Sequence, residues 1–115
     1  MHRGLNQYPL FRHWYQTLGW VMDKTEKLPR SVRHSLVHRI DDHALEILEL
    51  IVEAIFTPAK ARRAKLRAIN LRLDKLRILF RLCHDRRYIS TQQYAYISGQ
   101  IDETGKQVGG WLKTL

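Results

Sequence analysis

The chain has 115 residues, 44% of them hydrophobic, and carries 20 Lys and Arg against 11 Asp and Glu, for a formal net charge of +9. This apolar content excludes a disordered chain, and no run approaches the roughly 20 uncharged residues that a transmembrane helix needs. A chain of this length is expected to fold as one domain spanning 1–115, and it buries only roughly 60–70% of its unfolded surface, which leaves a lone monomer modest stability.

Four helices are predicted, over about 9–28, 31–56, 58–84 and 91–113. In the first, Leu10, Trp14, Leu18 and Val21 recur at helical spacing, and Phe11, Tyr15 and Met22 widen the stripe. Pro9 suits the first helical turn, and Pro29 ends or kinks the helix by disfavouring helical backbone at Leu28.

The second helix places Val37, Ile40, Ala44, Ile47, Ile51 and Ile55 on one stripe, broadened by Leu48 and Val52. Leu45, Leu50 and Ala54 make it apolar over much of its circumference. Either it has two buried faces, one against another subunit, or the bundle core is thick. Thr57-Pro58 then separates it from a third helix whose inward stripe is Leu66, Ile69, Leu73, Leu76 and Phe80, closed by Cys83 as a small core residue.

After a turn at Asp85 to Tyr88, Ser90-Thr91-Gln92-Gln93 reads as a capping box, flanked by Ile89 and Tyr94 as a hydrophobic staple. The fourth helix uses Tyr94, Ile97, Ile101, Val108 and Leu112. Its glycines, Gly99, Gly105, Gly109 and Gly110, either admit a close neighbour or mark a fraying end. Short links between amphipathic helices make an all-α, antiparallel, up-and-down four-helix bundle. Met1-His2-Arg3-Gly4 leads into mixed polar and aromatic sequence and not a signal peptide. The single cysteine excludes an internal disulfide, and the expected location is cytoplasmic.

Charge is unevenly distributed. Residues 31–57 carry −3, whereas residues 58–87 carry +9. Helix three holds Arg62, Arg63, Lys65, Arg67, Arg72, Lys75, Arg77 and Arg81, which are the candidate contacts to an anionic partner. Arg63, Arg67, Arg77 and Arg81 are expected on a similar exposed side, with Arg72 and Lys75 on another flank. Arginine's planar fork suits phosphates and carboxylates, so nucleic acid leads as the partner. A solvated charged face paired to the acidic second helix and an acidic protein partner are the alternatives.

Catalysis finds little support. Asp41, Asp42, Glu46, Glu49 and Glu53 stand at ordinary surface spacing. His34, His38 and Asp42 fall at four-residue steps and could offer three metal ligands, but no second cluster or His-Glu-x-x-His motif accompanies them. His13, His43 and His84 suggest no triad with a serine. No phosphate-binding or dinucleotide loop is present, so the expectation is a protein that is not an enzyme, with no metal and no cofactor. Trp14 is read as core, while Trp20 and Trp111 are equally suited to core and interface.

The order of several segments resembles one family. They are Pro9-Leu10-Phe11-Arg12-His13-Trp14-Tyr15, Lys27-Leu28-Pro29-Arg30-Ser31, Arg39-Ile40, Ala44 to Glu49, Ile51 to Ala54, Asn70 to Arg77, Tyr94 and Gly109-Gly110-Trp111. Together they span nearly the whole chain and resemble the accessory variability determinant (Avd) proteins of diversity-generating retroelements. Leu28 departs from the pattern, where related chains often have phenylalanine.

The resemblance implies a homopentameric barrel of four-helix protomers with a basic exterior. It also implies association with the retroelement reverse transcriptase, and support of cDNA synthesis from template RNA in mutagenic retrohoming. The helix-three cations then become candidate contacts to that enzyme as well as to RNA. The alternatives are a related bundle protein of the ribosomal-RNA intervening-sequence type and a purely structural oligomer.

Overall fold

In a computed structural model, residues 4–115 are described; Met1, His2 and Arg3, and with them the start read as lacking a signal peptide, lie outside the described residues. The apolar spacings emerge as helices α1 (Pro9–Thr25), α2 (His38–Phe56), α3 (Ala59–Asp85) and α4 (Thr91–Leu112), with no strand among the described residues. α1 packs on α2, α2 on α3, α3 on α4, and α4 returns to α1. This is an up-and-down four-helix bundle. Its extents are 43 × 28 × 21 Å, the long axis being close to the ~40 Å of a helix as long as α3.

The core follows the predicted stripes. Leu10, Trp14, Leu18 and Val21 meet Ile40, Ala44, Ile47 and Ile51, then Leu66, Ile69, Leu73, Leu76 and Phe80, then Ile97, Ile101 and Val108. Trp14 is fully buried, and its indole N–H donates to the Ala44 carbonyl at 2.9 Å, so a polar atom ties α1 to α2 inside the core. Thr17 and Thr104 are buried because each hydroxyl donates to the carbonyl four residues back, His13 and Gln100 respectively. Cys83 lies wholly in the core, and burial pushes its thiol up to about 11.

The first connection is less regular than the sequence implies. α1 stops at Thr25, and Lys27 and Leu28 close tight turns onto the carbonyls of Lys24 and Thr25. Pro29 forces extended backbone, after which a 3-10 turn (Arg30–Val32) and a π turn (Arg33–Val37) lead into α2. Leu28 itself is buried against the core, the role a phenylalanine there would also fill. The Thr25 hydroxyl donates to Asp41 Oδ1 at 2.8 Å and pins the end of α1 to the first turn of α2.

The last connection ends α3 by a Schellman arrangement, with the Arg87 N–H bonding to the His84 carbonyl and the Tyr88 N–H to that of Cys83. The left-handed residue this motif requires is Arg87, at φ 62°. Ser90 and Gln93 then form the predicted capping box, with reciprocal bonds of 3.0 and 2.8 Å. A Cβ placed on Gly99, Gly109 or Gly110 would meet nothing, and α4 continues to Leu112. Close helix approach does not account for those glycines.

Candidate nucleic-acid and protein interface

α3 is long and rich in good helix formers, and its apolar stripe turns one face inward, leaving its cations on two flanks and a crest. On the α2 flank, Lys65 Nζ lies 2.8 Å from Glu53 Oε1. Arg72 Nη1 lies 3.7 Å from Asp42 Oδ2 and 3.1 Å from His43 Nδ1. On the α4 flank, Arg77 reaches Asp102 at 3.1 Å while also contacting Asp74 at 2.6 Å. Arg77 therefore leans toward α4, as does Arg63, whose bond runs to the Leu115 carbonyl just past α4. Arg81 pairs with Asp85 at 3.8 Å, one turn on.

Two of the eight cations bind backbone. Arg62 donates from Nε to the Ala54 carbonyl at 2.9 Å and from Nη2 to that of Thr57 at 3.0 Å. These are orphan acceptors at the end of α2. Its guanidinium also lies 5.0 Å from the Trp111 ring centre, which in turn stacks on Tyr8. Arg63 donates to the Leu115 carbonyl at 3.1 Å. Only Arg67 and Lys75 point into solvent without a carboxylate or carbonyl partner among the described residues.

Exposed pairs of this kind hold their side chains weakly, worth about 0–1 kcal/mol each, so a stronger anion can displace them. The α3 surface is thus a lattice of exchangeable ion pairs and not a row of bare charges. The acidic segment in α2 supplies part of that lattice, as the alternative of local pairing anticipates.

The crest of α3 also carries large aliphatic side chains that the inward stripe does not predict. Leu71 is 57% and Ile78 63% exposed, and Leu82 extends the row. Their spacing of seven and four residues was a legible signal, hidden by the density of charge around it. α2 shows a similar row: Leu50 and Ala54 join the core, but Leu45 and Phe56 remain exposed, and Leu48 and Val52 are half-buried between them. The breadth of α2 thus divides into a core face and an outer seam.

Elsewhere, Trp20 is half-buried and tilted against Tyr96 at 5.0 Å, with the Lys24 ammonium 5.5 Å from its ring. The His13 Nε2 lies 3.1 Å from the Gln100 carbonyl, an arrangement that requires a proton on that nitrogen. His34 and His38 are exposed, and no group of three or more His, Cys, Asp or Glu is placed to hold a metal ion among the described residues. No helix among them is long and apolar enough to cross a membrane.

No curated protein matches the chain. The family described as bAvd-like matches residues 10–115, from the first buried leucine of α1 to the end of the sequence. The match takes in all four helices, the paired cations of α3 and the C-terminal tryptophan. The chain therefore belongs to the bAvd-like family, the Avd-type accessory proteins of diversity-generating retroelements.

Proposed function

We propose that this protein is a noncatalytic scaffold that binds the retroelement reverse transcriptase and its template RNA and supports cDNA synthesis in mutagenic retrohoming. The family match over residues 10–115 is the observation that carries this reading. The α3 surface fits it: Arg63, Arg67, Lys75 and Arg81 are exposed, and the ion pairs around them are of the exchangeable kind. Arg72, Lys65 and Arg77 join the contact by releasing Asp42, Glu53 and Asp102. Arg62 supports the surface by fixing the α2–α3 corner beneath it. The exposed rows on α2 and α3 supply apolar area for a homopentamer, whose ring would repeat the basic surface five times.

The test is copurification of the protein with its cognate reverse transcriptase, with and without template RNA, for the unmodified chain and for Arg67→Glu combined with Lys75→Glu. Loss of both partners at unchanged oligomer mass is the expected result. Retention of both at the unmodified level would return α3 to an ordinary solvated face. A reverse transcriptase gene beside paired template and variable repeats separates this reading from a bundle of the ribosomal-RNA intervening-sequence type.

A further inference from the structure

The end of the bundle where the α1–α2 and α3–α4 connections meet carries a second basic surface. The up-and-down topology brings both connections there. Arg39 and Val32 border a hollow of about 330 Å³ together with Leu82 from the last turn of α3 and Arg86 and Tyr88 from the other connection. Arg30 and Arg33 border a second hollow on the α1 side of the same irregular segment. Tyr88 continues into a cleft that holds Arg87. Tyr88 lines both the first and the third hollow, and the segment 30–37 contributes residues to both the first and the second.

Its charges resemble the unpaired Arg67 and Lys75 of α3 and differ from the paired ones. Lys65, Arg72, Arg77 and Arg81 each have a carboxylate within 4.0 Å, whereas Arg30, Arg33, Arg39, Arg86 and Arg87 have none among the described residues. Three carboxylates lie nearby but are placed otherwise. Asp85 is engaged by Arg81 and His84, Asp41 accepts from Thr25, and Glu26 stays beyond pairing distance of Arg30 and Arg33.

Arg87 adds an independent observation. The Schellman turn needs a left-handed residue, and glycine meets that need without crowding a Cβ against backbone. Here an arginine holds φ 62°, exposed and without a side-chain hydrogen bond, ion pair or ring contact among the described residues. The fold gains nothing from that side chain and would gain from its removal. A residue held against local conformational preference, with no partner inside the fold, is a candidate for a contact made outside it. Beside it, Arg86 donates to the Tyr88 hydroxyl at 3.1 Å and lies 5.7 Å from its ring, presenting a guanidinium and an aromatic side chain together.

We infer that Arg30, Arg33, Arg39, Arg86 and Arg87 form a phosphate-gripping cap at this end of the bundle, which holds the backbone of single-stranded RNA. Charge that tracks a backbone, beside a partly exposed ring on which a base can stack, is the combination that retains single strands without reading sequence. The cap rests on the reading that RNA is a partner, and it adds a second grip beyond the α3 surface.

The experiment measures binding of a fluorescently labelled, mixed-sequence single-stranded RNA over a salt series. Arg30→Glu combined with Arg33→Glu should weaken binding about tenfold or more and lower the logarithmic salt slope by about 1.4, for two lost phosphate contacts. Arg87→Gly should lower the slope by about 0.7 and at the same time raise Tm by a few degrees, a pairing that a structural arginine would not give. Unchanged RNA binding in these variants, with loss in Arg67→Glu/Lys75→Glu, overturns the cap and leaves the α3 reading standing. If the unmodified protein fails to bind RNA at low salt, both fail. If the cap variants lose the reverse transcriptase but keep RNA, the partner is a protein and the cap as stated is wrong.

Discussion

Arg72 donates from Nη1 to Nδ1 of His43, 3.1 Å away across the contact between α2 and α3. A guanidinium has no acceptor, so Nδ1 must be unprotonated and neutral His43 carries its proton on Nε2. Partial burial, followed by the charges of Arg72, Lys75 and Arg39, holds His43 below its ordinary pKa of 6.5, with Asp42 acting the other way.

A pH dependence follows from this geometry. The unfolded chain takes up the His43 proton near 6.5, while the folded chain resists until lower pH. Between those points the unfolded state binds more protons, so stability rises with pH. The contribution is complete above about 6.5 and is lost as pH falls toward the folded value. His43→Gln retains an acceptor for Arg72 but cannot titrate. Its urea midpoint should change less between pH 7.5 and 5 than that of the unmodified protein, in experiments at about those two values. Equal pH dependence in both would show that the contact does not discriminate between protonation states.

Cys83 should behave as a core atom. The thiolate is the reactive form, and burial pushes the thiol up to about 11. The native protein should resist iodoacetamide and react fully only in denaturant. Cys83→Ala should cost about 1 kcal/mol and leave reverse transcriptase copurification intact. Loss of association at unchanged stability would instead identify a functional thiol.

The bundle was legible because its core residues obey one rule, helical periodicity, and Trp14, Leu73 and Ile101 could be placed without tertiary knowledge. The capping box at Ser90 and Gln93 was equally local. Interactions between helices were not legible. Nothing in the order of residues says that Arg77 turns to Asp102 or that Arg62 closes the corner at Ala54, because both depend on which flank faces which neighbour. The segment from Arg30 to Val37 reads as ordinary helix by composition. Its 3-10 and π turns arise from fitting the chain after Pro29 onto a buried Leu28 and Leu36. The left-handed backbone at Arg87 was also invisible, since the expected signal was a glycine.

Arg62 should prove to be a stability residue. It satisfies two carbonyls at the end of α2 and covers the Trp111 ring, all at one corner. Arg62→Ala should cost about 1–2 kcal/mol by denaturant unfolding. Arg62→Lys should recover only part of that, since an ammonium cannot fork to two carbonyls while lying flat on a ring. A stability unchanged by both substitutions would assign its charge to partner binding instead.

α4 carries slack that substitution can remove. Gly99 is helical and exposed, and a Cβ there meets no neighbour. Gly99→Ala should therefore stabilise the protein by about 0.5–1 kcal/mol through lost freedom in the unfolded chain. A destabilised variant would mean that this face of α4 is covered in the assembled protein.

The outward aliphatic row tests the proposed homopentamer. Leu71 and Ile78 are 57% and 63% exposed on the crest of α3, so neither contributes much to the core of its own protomer. Their remaining apolar surface can be removed from water only by another molecule, and each such side chain is worth about 1 kcal/mol when covered. In a ring the same contact recurs at every interface, so one substitution acts on all of them. Leu71→Asp combined with Ile78→Asp should leave the helical circular dichroism of the protomer intact and reduce the mass measured by light scattering at micromolar concentration. The unmodified chain should show a mass near five copies. Should the double variant keep that mass, the α3 crest is not the subunit contact, and the α2 row of Leu45 and Phe56 is the next face to substitute.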